Sequence, residues 1–147
     1  MKSIGLIVCL LALGLEALQA QGKPSQALSG TSWLGTANIP DPLTCLLRFG
    51  KDTARLIYVD DREINIHDDI VGVRAVTGKD SAIVEVMTWR LSGDTVELRK
   101  VSGGSPCGEE KGLYRVMVTG GKLKFILIED ACAARPYALK EEMAQVK

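Results

Sequence analysis

The stretch LYRVMVTGGKLKFILIEDACAAR, from Leu113 to Arg135, decides how this chain folds. Two apolar segments flank Thr119-Gly120-Gly121, and a glycine pair between such segments is typical of a β-hairpin turn. The second segment ends at an acid, and a cysteine and an arginine follow it closely. The pattern therefore predicts a hairpin whose second strand leads into a covalent link and a cation.

A similar hairpin is predicted upstream, from Ile83–Leu91 through a Ser-Gly-Asp turn to Thr95–Val101. Each hairpin is followed by a cysteine, Cys107 in the first case and Cys132 in the second. Because the two cysteines occupy equivalent positions, we expect them at the same end of the sheet. Exported proteins usually pair their cysteines, so we predict a Cys107–Cys132 disulfide.

The rest of the chain is patterned in the same way, as short apolar or alternating segments separated by Pro, Gly and Asp turns. These segments predict further strands at Ser32–Ile39, Thr44–Phe49, Thr53–Val59, Glu63–His67 and Ile70–Val76. No convincing internal helix interrupts them. Eight or nine consecutive antiparallel strands predict an all-β fold, an up-and-down barrel, since closure of the sheet removes its exposed edges.

The first twenty residues have the features of a secretory signal peptide. Lys2 precedes an apolar run, Ile4–Leu15, and Ala20 offers a small residue at a cleavage site. The run is too short to cross a bilayer as a helix, so we expect no membrane span. The segment predicts a secreted or periplasmic protein.

The mature chain is expected to form one domain. Residues 21–30 are rich in Gln, Ser, Gly and Lys and predict a flexible leader. Residues 31–137 are assigned to the barrel, and residues 138–147 to a C-terminal tail. Tyr137–Lys147 is the only segment that could be helical, and it has no N-cap, so it is expected to fray.

Charge composition argues against a nucleic-acid partner. The chain has 18 Lys and Arg against 18 Asp and Glu, for a formal net charge of +0. It contains no basic run, and a nucleic-acid groove or an anionic membrane surface normally needs one.

Two residue types that carry chemistry elsewhere are given structural roles here. Cys45 lies in a strand among Leu46, Leu47 and Phe49, so we expect a buried free thiol that packs as a small hydrophobe. The alternative is a nucleophile activated by His67, the only histidine. A single histidine cannot form a multi-histidine zinc site.

No catalytic, metal or cofactor site is predicted. The acidic residues Asp60, Asp61, Glu63, Asp68 and Asp69 lack the spacing of a calcium-binding loop and are attributed to turns. No pair of carboxylates is singled out as acid and base. We therefore do not expect an enzyme.

Three pieces of the sequence resemble the small secreted lipocalin-like domain proteins of bacteria. They are LSGTSWLGTANIP, SGGSPCGEEKGLYRV and GGKLKFILIEDACAAR, beginning at Leu28, Ser102 and Gly120. In the wider lipocalin and calycin group, a tryptophan near the start of the barrel packs against an arginine near its end. The resemblance implies that Trp33 and Arg135 form such a barrel-closing pair.

The resemblance also implies a binding function. An eight-stranded barrel either holds one small ligand or is filled by its own side chains. The leading expectation is a barrel that binds a small apolar or amphipathic ligand, with no ligand-contacting residue assigned. The alternative is a protein-binding barrel, such as an inhibitor of a secreted hydrolase, whose loops make the contacts.

Overall fold

The computed structural model describes residues 28–59, 64–67, 70–73 and 83–147, with residues 64–67 and 70–73 described by their backbone alone. The strands are β1 (Ser32–Ile39), β2 (Asp41–Phe49), β3 (Thr53–Tyr58), β4 (Ile64–His67), β5 (Ile70–Val73), β6 (Ile83–Ser92), β7 (Thr95–Gly103), β8 (Lys111–Thr119), β9 (Lys122–Asp130) and β10 (Met143–Val146). One short helix, α1 (Ala134–Ala138), lies between β9 and β10. The predicted signal peptide and residues 21–27 of the predicted leader lie outside the described residues.

Eight strands form a closed antiparallel barrel, which confirms the predicted fold class. The order around the wall is β1-β2-β3-β6-β7-β8-β9-β10, and β10 returns to pair with β1. The β4–β5 hairpin stands outside this wall. It touches the barrel through one parallel pair, Val71 with Val146.

Both predicted hairpins are confirmed. β6 pairs with β7 and β8 pairs with β9. Gly93 has a φ of 62° and Gly120 a φ of 59°, so each turn uses the left-handed region that glycine enters without strain. Alternate residues of these strands point into the barrel, because side chains alternate between the faces of a strand. The buried hydrophobic ones are Met87, Trp89, Val96, Leu98, Tyr114, Val116, Leu123 and Phe125, and Glu85 of β6 is buried with them.

The barrel begins earlier in the chain than predicted. Leu28, assigned to the flexible leader, is fully buried and belongs to the main core cluster. The Gly30 amide donates to the carbonyl of Phe49 at 2.9 Å, which fixes the entry into β1. The leader prediction is therefore wrong for its last residues, because an apolar side chain in a polar segment is enough to dock that segment.

The prediction of a frayed or helical tail after residue 137 is also wrong. β10 lies in this segment and fills the gap between β1 and β9. Met143, its first residue, is 1% exposed. Without β10 the facing edges of β1 and β9 would be unpaired. The hydrogen bonds gained by pairing them outweigh the weak helical preference of the segment. The helix lies at Ala134–Ala138 and overlaps the segment considered for a helix, Tyr137–Lys147, only in the first two residues of that segment.

The barrel has two different ends. At the base end, β1 starts and β10 finishes, since Ser32 pairs with Val146. At the other end β1 and β9 finish and α1 packs across the opening, with its strongest contacts to β1. We call this second end the helix end.

Candidate binding cavity

A cavity of about 270 Å³ lies at the helix end, between α1 and the barrel. Five parts of the chain build its wall: the end of β1, strand β3, strand β6, the loop after β7, and α1. The lining residues are Asn38, Ile39, Pro40, Leu56, Val84, Glu85, Met87, Gly104, Ser105, Pro106, Cys107, Ala134, Arg135, Tyr137, Ala138 and Leu139.

The wall is largely apolar with a few polar groups. Glu85 and Arg135 are its two charged members, and they are 5% and 4% exposed. Asn38 is also buried, and its amide nitrogen donates to the carbonyl of Tyr137 at 3.5 Å. An apolar wall with a small number of fixed polar groups is typical of a small-molecule site.

The loop after β7 satisfies the Glu85 carboxylate. The Ser105 hydroxyl donates to it at 2.7 Å and the Ser105 amide at 3.3 Å. The Lys100 ammonium donates a hydrogen bond to the Ser105 carbonyl at 2.6 Å and not to the Glu85 carboxylate. These bonds hold the loop against β6 and fix the position of the buried charge.

Arg135, which lines the cavity, forms a buried ion pair with Asp130. The Nη1 atom of Arg135 lies 2.8 Å from Oδ2 of Asp130, and the side chains are 4% and 0% exposed. Asp130 also accepts a hydrogen bond from the hydroxyl of Tyr114 and one from the amide of Cys132 at 2.8 Å. Because a buried charge needs partners, these donors make an ionised Asp130 tolerable.

The remaining bonds of Arg135 go to the barrel backbone. Nη2 donates to the carbonyl of Glu110 at 3.1 Å, and Nη1 donates to that of Leu98 at 3.5 Å. Burial and the hydrogen bond to Asp130 raise the pKa of Tyr114 well above its ordinary value, so its hydroxyl remains a donor at neutral pH. The network ties α1 to β7, β8 and β9.

A disulfide bond and a glycine support this network. The predicted Cys107–Cys132 disulfide is formed, with the two Cα atoms 5.4 Å apart, and it joins the loop after β7 to the exit of β9. Gly112 lies against the ion pair, and a Cβ atom there would collide with Asp130 and approach Arg135 Nη1 to 2.6 Å. Only glycine leaves room for the buried pair at this position.

Trp33 and Arg135 were predicted to pack against each other, whereas the cation–π contact found among the described residues is that of Lys140 over Tyr137. Trp33 pairs with Gln145 near the end of β10, so it lies towards the base end. Arg135 follows the end of β9, which runs antiparallel to β10, and it therefore lies at the helix end. The Trp33 indole donates instead to the Thr31 hydroxyl at 2.7 Å. Arg135 forms its ion pair with Asp130, five residues before it, and the sequence analysis did not predict this pair.

Cys45 has the structural role predicted for it. It is free and fully buried in the core, and burial raises the pKa of its thiol to about 11. A neutral, inaccessible thiol is a poor nucleophile. The alternative partner, His67, lies on β4, whose side chains are not described. The five acidic residues of the predicted turns lie outside the described residues.

Neither a metal cluster nor a membrane-spanning helix is found in the part of the chain that the structure describes. No three side chains of His, Cys, Asp or Glu are grouped as metal ligands among these residues. Their helices are too short or too polar to cross a bilayer.

Comparison with known proteins found no match. No protein-family model, characterised protein or solved structure is significantly similar to the chain.

Sequence reasoning did not single out the residues that shape the cavity. Glu85 alternates in phase with the inward residues Met87 and Trp89, but neither its burial nor that of Asn38 was predicted. Asp130 carried a usable signal, because an acid two residues before a bridged cysteine is well placed to accept that cysteine's amide. No sequence signal marked Gly112, since its role depends on two side chains from other segments.

Proposed function

We propose that this chain is a lipocalin-like barrel, exported from the cell, that binds a small apolar or amphipathic molecule in the helix-end cavity. The observation that carries the proposal is the cavity itself, about 270 Å³ in volume and walled mainly by apolar side chains. Burial of apolar ligand surface would supply most of the affinity.

The cavity volume limits the size of the ligand. A dry apolar cavity of roughly 150 Å³ holds a benzene molecule. The helix-end cavity is less than twice that volume, which suits a compound of one or two rings or a short alkyl chain. A long fatty acid or a sterol would require α1 to move.

The placement of α1 supports a binding role rather than a filled interior. The helix covers the barrel end without filling it, and four of its five residues line the cavity: Ala134, Arg135, Tyr137 and Ala138. Two of these are alanines, whose short side chains leave space that larger apolar residues would occupy. The proposed export rests on the signal-peptide pattern of residues 1–20.

A titration with 2-ethylnaphthalene tests the proposal. We expect isothermal titration calorimetry to show one site per chain, with a negative heat-capacity change from burial of apolar surface. Ala138→Trp places a large side chain into the cavity and should abolish binding. Ala133→Trp is the matched control, because Ala133 is exposed at the start of the same helix and does not line the cavity.

Two outcomes would count against a ligand-binding barrel. One is the absence of binding to the folded wild-type protein. The other is equal binding by the two tryptophan variants, which would place the ligand elsewhere. Either result would favour the rival function, a barrel whose loops bind a protein such as a secreted hydrolase.

A further inference from the structure

We infer that two copies of this chain associate through an unpaired edge of β9, in antiparallel orientation, and form a symmetric dimer. We call residues 124–130 of this strand, on the side away from β8, the open edge. The inference is independent of the ligand in the helix-end cavity. It depends on an incomplete ladder, on the apolar side chains beside it and on the order of charges along the strand.

The closure of the barrel by β10 reaches only the beginning of β9. β10 pairs with Lys122 and Leu123, whereas β8 pairs with β9 along nearly its whole length. In the described residues, no other strand pairs with residues 124–130, and no loop or turn forms a backbone hydrogen bond with them. α1 lies at this end of the barrel but packs mainly against β1. The open edge therefore has backbone donors and acceptors available for another strand.

The open edge carries exposed apolar side chains. Ile126, Leu127 and Ile128 are 39%, 50% and 51% exposed. Neighbours along a strand point to opposite faces, and Leu127 is in phase with Phe125, which is buried in the core. The core therefore does not cover the inner face of β9 at Leu127. A strand that is apolar and uncovered at its edge favours association with another strand.

The order of charges along β9 identifies a second copy as the partner. The sequence KLKFILIED places Lys122 and Lys124 before the exposed apolar residues and Glu129 after them. Lys124 and Glu129 are exposed, and neither forms an ion pair within the described parts of the chain. Antiparallel pairing of two such strands places the basic end of each beside the acidic end of the other, with the apolar residues at the two-fold axis. Parallel pairing would oppose like charges.

The geometry of the open edge limits the association to two copies. A symmetric contact uses the same edge of both partners, so none remains for a third copy. The ladder between β8 and β9 also shifts register beside Ile128, and such a bulge ends regular pairing. Because the paired segment is short, the interface is small, and we expect a weak and reversible dimer.

Sedimentation velocity over a range of protein concentrations tests the inference. We expect the wild-type protein to change from monomer to dimer as its concentration rises. Leu127→Arg puts two cations at the two-fold axis and should abolish the dimer, while circular dichroism shows an intact barrel because this side chain is half exposed. Val101→Arg is the matched control, since Val101 is 59% exposed on β7, away from the open edge, and should leave the dimer intact.

A charge exchange tests the antiparallel orientation. Lys124→Glu alone, or Glu129→Lys alone, opposes like charges at both ends of the dimer, so each variant should raise the dissociation constant several fold. An equimolar mixture of the two variants restores opposite charges at both ends and should dimerise as the wild type does. Both substituted side chains are exposed, so the barrel should fold in each case. High salt should reduce these differences, because it screens exposed charges.

Three results would overturn the inference. The first is a wild-type protein that stays monomeric at every concentration. The second is a dimer that Leu127→Arg leaves intact, since such a dimer would use another face of the barrel. The third is a mixture of the two charge variants that dimerises no better than either variant alone, since the strands would then not be antiparallel. None of these results bears on ligand binding in the helix-end cavity.

Discussion

A single cation gives the clearest contrast between sequence and structure. Arg135 was expected to pack against Trp33, and the ion pair that it forms is with Asp130. An ion pair with a residue five positions away, made only after the chain turns into α1, depends on the exact course of the backbone. Sequence spacing identifies such a pair when both residues share a helix face or lie across a strand pair, and neither applies here.

The first prediction concerns Gly112. Gly112→Ala places a Cβ atom into the space taken by Asp130 and Arg135 and forces the buried pair apart. Breaking a buried pair typically costs about 3–5 kcal/mol, and we expect a loss of that order in the free energy of unfolding. Urea unfolding measured by tryptophan fluorescence would show it.

Gly104→Ala is the control for this prediction. A Cβ atom at Gly104 meets nothing within 4 Å, and Gly104 does not have a positive φ, so this substitution should change stability little. Equal stability of the two variants would mean that the ion pair shifts at no cost, and that Gly112 is not required for the network.

At the level of elements, strands were predicted well and the segment after β9 was not. β1 was predicted with the bounds found, and the two hairpins differ by only a residue or two at their ends. Their alternation and glycine turns are local signals. α1 and β10 have no such signal: the helix has five residues and no side-chain cap, and the strand has four residues.

The disulfide is the element-scale feature with the most direct test. It closes a loop with a sequence separation of 25 residues, which in the chain-entropy model stabilises the fold by about 3–4 kcal/mol. The double variant Cys107→Ser, Cys132→Ser should lose about this much in urea unfolding. It should also bind 2-ethylnaphthalene more weakly, because Cys107 lines the cavity and Cys132 leads into α1.

Reduction of the wild-type protein provides the control for this prediction. Dithiothreitol should lower the wild-type unfolding midpoint towards that of the double variant and leave the variant unchanged. The free Cys45 does not complicate the comparison, since it is present in both proteins and is fully buried. Wild-type stability that is indifferent to reduction would show that the packing of α1, and not the bridge, holds this end together.

At the scale of the whole molecule, the closed barrel was predictable while the identity of its closing strand was not. Short antiparallel strands with no internal helix leave few architectures, and a closed meander is the one that leaves no edge. The closing strand was misplaced, since residues 138–147 had been assigned to a tail outside the barrel. The cavity was equally beyond prediction, because its wall combines residues from β1, β3, β6, the loop after β7 and α1.

The last prediction concerns β10, the strand that closes the barrel. Met143 is 1% exposed, and its side chain lies directly over Gly35 of β1. Met143→Ala removes most of a buried side chain and should cost about 2–5 kcal/mol of unfolding free energy. Gln145→Ala is the matched control in the same strand. Gln145 is only partly buried, and the hydrogen bond that its backbone N–H donates to the Gly121 carbonyl does not depend on the side chain.

Truncation extends this test from one side chain to the strand. A chain ending at Glu142 leaves β1 and β9 with unpaired edges, so we expect it to associate through those edges or to unfold, as followed by size-exclusion chromatography and circular dichroism. A chain lacking only Lys147, which is exposed and follows β10, should behave as the wild type. A stable monomer after removal of residues 143–147 would contradict this prediction. It would mean that the barrel closes without β10, with β9 paired directly to β1.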